Sequence, residues 1–590
     1  MQSRKNILKH PLTPVFALLT IALVWRVVFL FTGAALLDSD ESIEGIMAQR
    51  ILRGEFEIYF IDQHYLGRVE NYPLALFFAL TGLDNPLGMK IFAMMISAAF
   101  VLTLYYLSKT LYSDTKIAFF IALFAAASPA TFTLWSMKIR DFVTCLVLGQ
   151  LIMLLAAKIC AQEQWSKRLL CAWIGLGFLM GLELYHYILV APYLALAVMI
   201  LLINPFRRLL TAELKQPLQL CLLTPLLALI CVLVYQGTGV MGQPLSQPVY
   251  RNLALALFTY GAILFAAGLI LNLKNPRRFN LPLVWFLLAF AIGFSPAIYD
   301  AATAADLWYK NTPTDLSRTV TIIYTSLVQN VPYLFGTMAS PSALSAMHFD
   351  LPDYSPEWFN TIYSLLIVLI IGCFLYVTIR WGNAAIERKD RRNNFYFLLL
   401  IGIAYAQYCA SGPVIGNTRH LLPLYTGIFV ILGFICGFFY RYEKRAGIAL
   451  ALLLLAIFGF YNFRHRLADV SWPGYYRPEI AELQRLMEEN DLQAAYCDDS
   501  ALCHELQLAL GPDYALATNF RMLRYKDKYE TLRRSNDFAL ILYASQEHEY
   551  EIDRLVFKRT RVGRQTFLYD FRFDGSKLEY DVLTQLISSQ

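Results

Sequence analysis

The sequence predicts an all-α polytopic membrane protein with a small α/β domain at its C-terminal end. Two observations point to the membrane. Of the 590 residues, 57% are hydrophobic and only 16% charged, against roughly 25% charged in soluble domains. The apolar residues also gather in runs of about 20, the span a helix needs to cross a bilayer. A third observation marks the C-terminal end. From about residue 463 the charge returns, and helix and strand patterns alternate.

The start, MQSRKNILKH, is basic, and the apolar stretch after Pro14 is longer than a signal-peptide core, with no small-residue cleavage site before the acids that follow. It reads as a retained first helix with a cytoplasmic N-terminus. Apolar runs fall near 14–36, 87–108, 116–135, 141–160, 169–185, 187–203, 217–235, 252–272, 281–299, 361–380, 395–410, 420–440 and 446–462, about thirteen spans. With thirteen, the loops after even-numbered spans are all basic, among them Lys109/Lys116, Lys167/Arg168, Arg207/Arg208/Lys215 and Arg441/Lys444/Arg445. Cytoplasmic loops carry such an excess. Merging 169–185 with 187–203, split only by Tyr185-His186-Tyr187, would invert every later loop. The domains expected are therefore 1–462, a membrane module, and 463–590, an outer α/β domain. Outer loops fall at 37–86 and 300–360, the latter holding VPYLFGTM.

Within the tail, EIAELQRLMEE and EYEIDRLVF read as helices, and FALILYAS and RQTFLYDFRF as strands. Cys497 and Cys503 flank CDDSALC, so a short-loop disulfide and free thiols both stay open. Zinc ligation with His504 lacks further ligands.

Chemistry is sought first in DSDESIEGIMAQRIL, from Asp38. Ile43, Ile46, Met47 and Ile51 recur at helical spacing, the pattern of an amphipathic helix lying on the membrane surface. Asp38 or Ser39 capping this helix accounts for part of the acidity; a base or cation site among Asp38, Asp40 and Glu41 accounts for it equally. A second carboxylate, Asp141, follows Lys138 and Arg140 in the short outer loop WSMKIRDF. Cations on an outer loop run against the loop-charge rule, which suggests an anion holding them. Arg419 and His420, in GNTRHLLPLY, are cations at the outer entry to the twelfth span. An acid to take a proton, with cations for a leaving phosphate, suits group transfer from a phosphate. His64 lies near this set and is a candidate substrate contact; His186 reads as a packed polar residue.

These segments resemble the C-type integral-membrane glycosyltransferases, near the protein O-mannosyltransferase and lipid A aminoarabinose-transferase branch. The resemblance is carried by Asp40-Glu41, HYLGRVENYPLALFFALTG (64–82), KIRDFVTCLVLGQLIMLLA (138–156), LYHYILVAPYLAL (184–196) and TRHLLPLY (418–425). It implies transfer of a sugar, with inversion, from a polyprenyl-phosphate carrier to a glycolipid, lipid A, polysaccharide or protein acceptor at the outer face of the inner membrane. Asp40 then matches the base, Glu41 its partner and Asp141 the second acid. Lys138, Arg140, Arg419 and His420 match the carrier phosphate's contacts. Glu70 matches an active-site acid, but Asn71 follows where relatives carry a basic residue. No cofactor is implied, with a divalent ion as the less favoured alternative. The sequence shows no P-loop or dinucleotide fingerprint, and no nucleic-acid partner is expected. A flippase of a lipid-linked sugar and a non-catalytic assembly protein are the competing classes. The first would favour internal repeats and charges at mid-membrane.

Overall fold

The computed structural model describes residues 12–31, 37–60, 63–162, 166–210, 281–303, 357–379, 388–410, 421–467, 476–511, 513–518, 531–535, 537–543, 555–573 and 576–588. Helix α1 (Thr13–Val27) continues as a 3-10 turn over Val28–Phe31. The segment between this helix and the next long one follows: α2 (Ser39–Leu52), strands β1 (Tyr59–Phe60) and β2 (Gln63–Gly67), then α3 (Asn71–Thr81). Next come α4 (Pro86–Tyr112), α5 (Thr115–Ala126), α6 (Ala130–Trp135), α7 (Phe142–Ala161), α8 (Lys167–His186) and α9 (Ala191–Leu210). The apolar part closes with α10 (Leu281–Thr303), α11 (Glu357–Ile379), α12 (Arg388–Ala410), α13 (Leu424–Tyr442) and α14 (Lys444–Leu467).

Each predicted apolar run within the described residues coincides with helix, though 116–135 is broken into α5 and α6. The runs at 217–235 and 252–272, and most of the 300–360 loop, lie outside the described residues. The doubtful pair forms two helices, parted where Tyr187 turns extended at φ −161°, ψ 135°. Among the described residues α4, α7, α8 and α13 are each long and apolar enough to cross a bilayer. The chain is a multi-pass membrane protein.

In lipid, helices associate through close packing rather than hydrophobic exclusion. Accordingly α8 meets α10 almost backbone to backbone: a Cβ on Gly181 would lie 2.2 Å from the Phe290 carbonyl oxygen. The α5–α6 break is held by Arg26 of α1, which is fully buried. Its guanidinium donates to the carbonyls of Ala126 (2.8 Å) and Ala125 (3.4 Å) and to the hydroxyls of Ser136 (3.0 Å) and Ser128 (3.2 Å). The last carbonyls of a helix lack partners within it, and a cation there also suits the helix dipole.

The C-terminal elements are α15 (Pro478–Glu489), β3 (Ala494–Cys497), α16 (Ser500–Leu510), β4 (Ala515–Thr518), β5 (Phe538–Tyr543), β6 (Leu555–Val562), β7 (Gln565–Phe573), β8 (Ser576–Lys577) and α17 (Tyr580–Ser588). The strands order as β4-β3-β5-β7-β6, with β8 on β7. β3 pairs in parallel with both β4 and β5, and β7 runs antiparallel to β5 and β6. A parallel pair needs a crossover, which α16 supplies between β3 and β4. The helical reading of EYEIDRLVF is overturned at Leu555-Val556-Phe557, which begin β6. There Val556 faces outward between the less exposed Leu555 and Phe557, and pairing to β7 decides the conformation. As an edge strand, β6 is guarded by Lys558, Arg559 and Arg561. Cys497 and Cys503 are buried free thiols rather than a disulfide.

One further expectation is corrected. Helix α2 does not lie on a membrane surface: residues Glu41 to Gln49 are all buried. Leu508 of α16 joins Leu37, Ile46 and Ala48 in one apolar cluster with Leu74, Phe78, Met89 and Phe92 from α3 and α4. The contact is tight at Gly45, where a Cβ would lie 2.8 Å from Leu508 Cδ1 and 2.8 Å from Met89 Sδ.

Candidate active site

The site begins with the cap of α2. Asp38 is extended, at φ −107°, and its Oδ1 accepts from the backbone N–H groups of Asp40 (3.1 Å) and Glu41 (3.0 Å). The capping account of Asp38 therefore holds. Asp40 and Glu41 fall in the first turn, where the helix dipole favours acids. Next to them, Ser39 Oγ lies 2.6 Å from His504 Nδ1 on α16, so His504 serves the helix end rather than a zinc set.

The cations come from the turn between α6 and α7, and from α4. Lys138 Nζ bonds Asp38 Oδ2. Arg140 Nη2 lies 2.8 Å from Asp38 Oδ1 and 2.7 Å from Asp40 Oδ2. Lys90 Nζ donates to Glu41 Oε1 at 2.6 Å, and the Ile139 N–H reaches the same oxygen at 3.3 Å. The cations that broke the loop-charge rule are thus held by the chain's own acids. Burial works to raise the Asp38 carboxyl, but Arg140 and Lys138 outweigh it and hold it well below the usual range. The three acids differ in access. The side chain of Asp40 is 32% exposed, against 6% for Asp38 and 0% for Glu41.

Behind this layer lies a second, buried one. Asp141 precedes α7 in the left-handed region, φ 60°, and makes no side-chain cap bond. Its N–H instead donates to Glu70 Oε2, while Thr144 Oγ1 donates to Glu70 Oε1 at 2.8 Å. Asp141 Oδ1 lies 2.9 Å from His186 Nε2, and His186 Nδ1 lies 2.8 Å from Glu183 Oε1. Arg68 Nη1 donates to Glu44 Oε2 (2.7 Å) and to Asn71 Oδ1 (2.9 Å), and its guanidinium carbon lies 4.0 Å from the Phe60 ring centroid. Asn71, where a basic residue was looked for, completes the link by donating to the Glu44 carbonyl at 2.9 Å. Burial pushes Glu44 up to about 8 against the pull of Arg68, with Asp141 adding to the rise. Burial, then the negative charges of Asp141 and Glu44, push Glu70 up to about 8.

The structure therefore gathers Asp40, Glu41, Lys138 and Arg140 in one layer, and Glu70 and Asp141 in the next. Arg419 and His420 lie outside the described residues, and His64 is placed only as a residue of β2. Lys90, Glu44, Arg68, Glu183 and His186 were not singled out as site residues. Lys90 and Glu183 carried a usable signal, being ionisable residues inside apolar runs. Among the described residues no group of three or more His, Cys, Asp or Glu could hold a metal ion. The carboxylates do not converge on one point, because Asp38, Asp40, Glu41 and Glu44 each bond a Lys or Arg.

No family model and no curated protein matches the chain. Solved structures do. The oligosaccharyltransferase AglB from Archaeoglobus fulgidus, in complex with an inhibitory peptide and a dolichol-phosphate, aligns with TM-score 0.51 at 13% identity over 95% of this chain and 74% of that one. The apo oligosaccharyltransferase from the same organism aligns with TM-score 0.48 at 12% identity over 91% and 70%. ArnT from Cupriavidus metallidurans bound to undecaprenyl phosphate aligns with TM-score 0.41 at 11% identity over 95% and 98%. The fold shared with AglB is that of the C-type glycosyltransferases.

Proposed function

We propose that this chain, with its C-type glycosyltransferase fold, moves a sugar from a polyprenyl-phosphate carrier to an acceptor hydroxyl at the outer face of the inner membrane. The N-terminus is cytoplasmic and the C-terminal region external, as the basic even-numbered loops favour. Acceptors compatible with the chemistry are a glycolipid such as lipid A, a polysaccharide or a protein. The dolichol-phosphate bound by AglB supports a lipid phosphate as ligand class.

The observation that carries this is Asp40. It keeps a third of its side chain exposed while Asp38 and Glu41 beside it are covered. A base must reach the proton it removes. Asp40 takes the acceptor hydroxyl proton as that oxygen bonds to the anomeric carbon from the face opposite the phosphate. The bond from anomeric carbon to phosphate oxygen breaks, the centre inverts, and the carrier leaves as polyprenyl phosphate. Arg140, which meets Asp40 at 2.7 Å, is assigned to that phosphate. Lys138 stands beside it, while Glu41 anchors Lys90.

In the outer layer three acids, Asp38, Asp40 and Glu41, already balance three cations, Lys90, Lys138 and Arg140. A leaving phosphate needs further positive charge, a role assigned to Arg419 and His420. Glu70 and Asp141 fix the turn behind Arg140, and His64 is assigned to the substrate side. No step is routed through a metal, because the carboxylates are taken up by Lys and Arg.

Mass spectrometry of lipid and glycan extracts tests this. Cells carrying Asp40→Asn are expected to hold the protein in the membrane and lack the modified product. Full transfer by both Asp40→Asn and Asp141→Asn would overturn the assignment, and movement of an intact lipid-linked sugar would make the protein a flippase.

A further inference from the structure

We infer that His186 is a positioning residue for the transfer: clamped between Glu183 and Asp141, it holds the turn on which Arg140 is mounted. The inference rests on the proposed role of Asp40. Three observations carry it. The first is the hydrogen-bond geometry. Both ring nitrogens lie within 2.9 Å of carboxylate oxygens, and all three side chains are fully buried. A carboxylate only accepts, so with both acids ionised both nitrogens donate and the ring is an imidazolium. Such charge-assisted bonds are the stronger kind.

The second observation is the backbone of Asp141. A non-glycine residue at φ 60° persists where its surroundings over-determine it. Asp141 has no cap bond of its own, so its side chain is fixed by His186 and its N–H by Glu70. Asp141 Oδ2 and Glu183 Oε2 have no hydrogen-bond partner among the described residues. The bond to His186 is thus the hydrogen bond described for the Asp141 carboxylate.

The third observation is adjacency. Arg140 and Asp141 are neighbours in sequence, yet one reaches forward to Asp38 and Asp40 and the other back to His186. Loosening Asp141 therefore loosens the cation that faces the base. The groups facing His186 are Glu183 on its own helix and Asp141 at the head of α7. Cys145 of α7 lies against Glu183. Behind Asp141 stand Glu70 and Glu44, the latter paired with Arg68.

A histidine that merely ties α7 to α8 would lower stability when replaced and leave the kcat of the folded protein alone. The experiment is a double-mutant cycle on the purified full chain, with a polyprenyl-phosphate sugar as donor. His186→Gln is expected to lower kcat roughly ten- to a hundredfold with little change in donor KM. In the His186→Gln background, Asp141→Asn is expected to add little, since both act through one carboxylate.

Losses that multiply in the double variant, or a kcat per folded molecule that stays at the parent value, would overturn the inference. If His186→Gln does not accumulate, Glu183→Gln removes one of the two carboxylates that clamp the ring without deleting it and is expected to lower kcat with little change in donor KM; an unchanged kcat there overturns it equally. Loss of the role of Asp40 reads out separately, as an Asp40→Asn variant that keeps transfer.

Discussion

Asp40 and Arg140 meet at 2.7 Å across 100 residues of chain, and the same guanidinium nitrogen reaches Asp38 at 2.8 Å. One donor thereby gives two neighbouring carboxylates different work. Asp38 caps α2 and is nearly covered; Asp40 stays within reach of solvent. Asp38→Ala is expected to cost about 1 kcal/mol for the cap, and about 3 kcal/mol more for leaving Lys138 and Arg140 short of a partner. Asp40→Asn is expected to unfold near the parent temperature while losing roughly 10²–10⁴-fold in transfer. Thermal unfolding in detergent, run beside a transfer assay, checks both halves.

Lys90 and Glu41 form a pair in which neither side chain is exposed. Removing one partner of such a pair costs about 3–5 kcal/mol, whereas replacing both with apolar groups is often close to neutral. Lys90→Met alone is therefore expected to be strongly destabilised, and Lys90→Met with Glu41→Leu to regain most of the loss. A double variant that melts as low as the single one would show that Glu41 is held chiefly by the Ile139 N–H.

Glu70 supplies a pH prediction. Its folded value is raised from 4.5 to about 8, by burial first and by Asp141 and Glu44 second. Between those values the folded chain binds more protons than the unfolded one, so stability falls as pH rises through that window. The stability is fully present below about 4.5 and lost by about 8. Glu70→Gln removes the titrating carboxyl while keeping one of the two acceptor oxygens that Thr144 and the Asp141 N–H use, and is expected to flatten this slope. Unfolding temperatures measured from pH 5 to 8 on both proteins decide it.

Arg26 makes a purely structural prediction. Arg26→Met leaves the Ala125 and Ala126 carbonyls without the donor that reaches them from α1. Each buried acceptor left unmade costs about 1–3 kcal/mol, so a clear fall in thermal stability is expected. Because Ser136 also loses a partner, the turn leading to Lys138 should open to proteolysis before the rest of the chain.

Much of the helical framework was legible because a span announces itself as a run of apolar residues. The cap at Asp38 was legible too, since Asp before an acidic first turn fits both side-chain capping and the dipole. The opposed charges of loop 138–141 were visible as a breach of the loop-charge rule, but their anion was sought outside the chain when Asp38 and Asp40 already supplied it. The burial of α2 was not legible. Ile43, Ile46 and Met47 make the same stripe whether they face lipid or protein, and Leu508, which covers part of it, lies far along the chain. His186 passed as packing because its two carboxylate partners come from positions three and 45 residues away. The β6 segment carried charges at a spacing that suits a helix, and only the neighbouring strand overrules it.

The cover over α2 also sets an order of events. Ser39 is made 465 residues before His504, the side chain that closes on it. At translation rates of 5–20 residues per second, that gap is roughly 20–90 s. Throughout it the helix carrying Asp40 stands without the cover formed by His504 and Leu508. A chain cut short of residue 500 therefore lacks the side chains that cover α2, and the site around Asp40 closes only once α16 has been made.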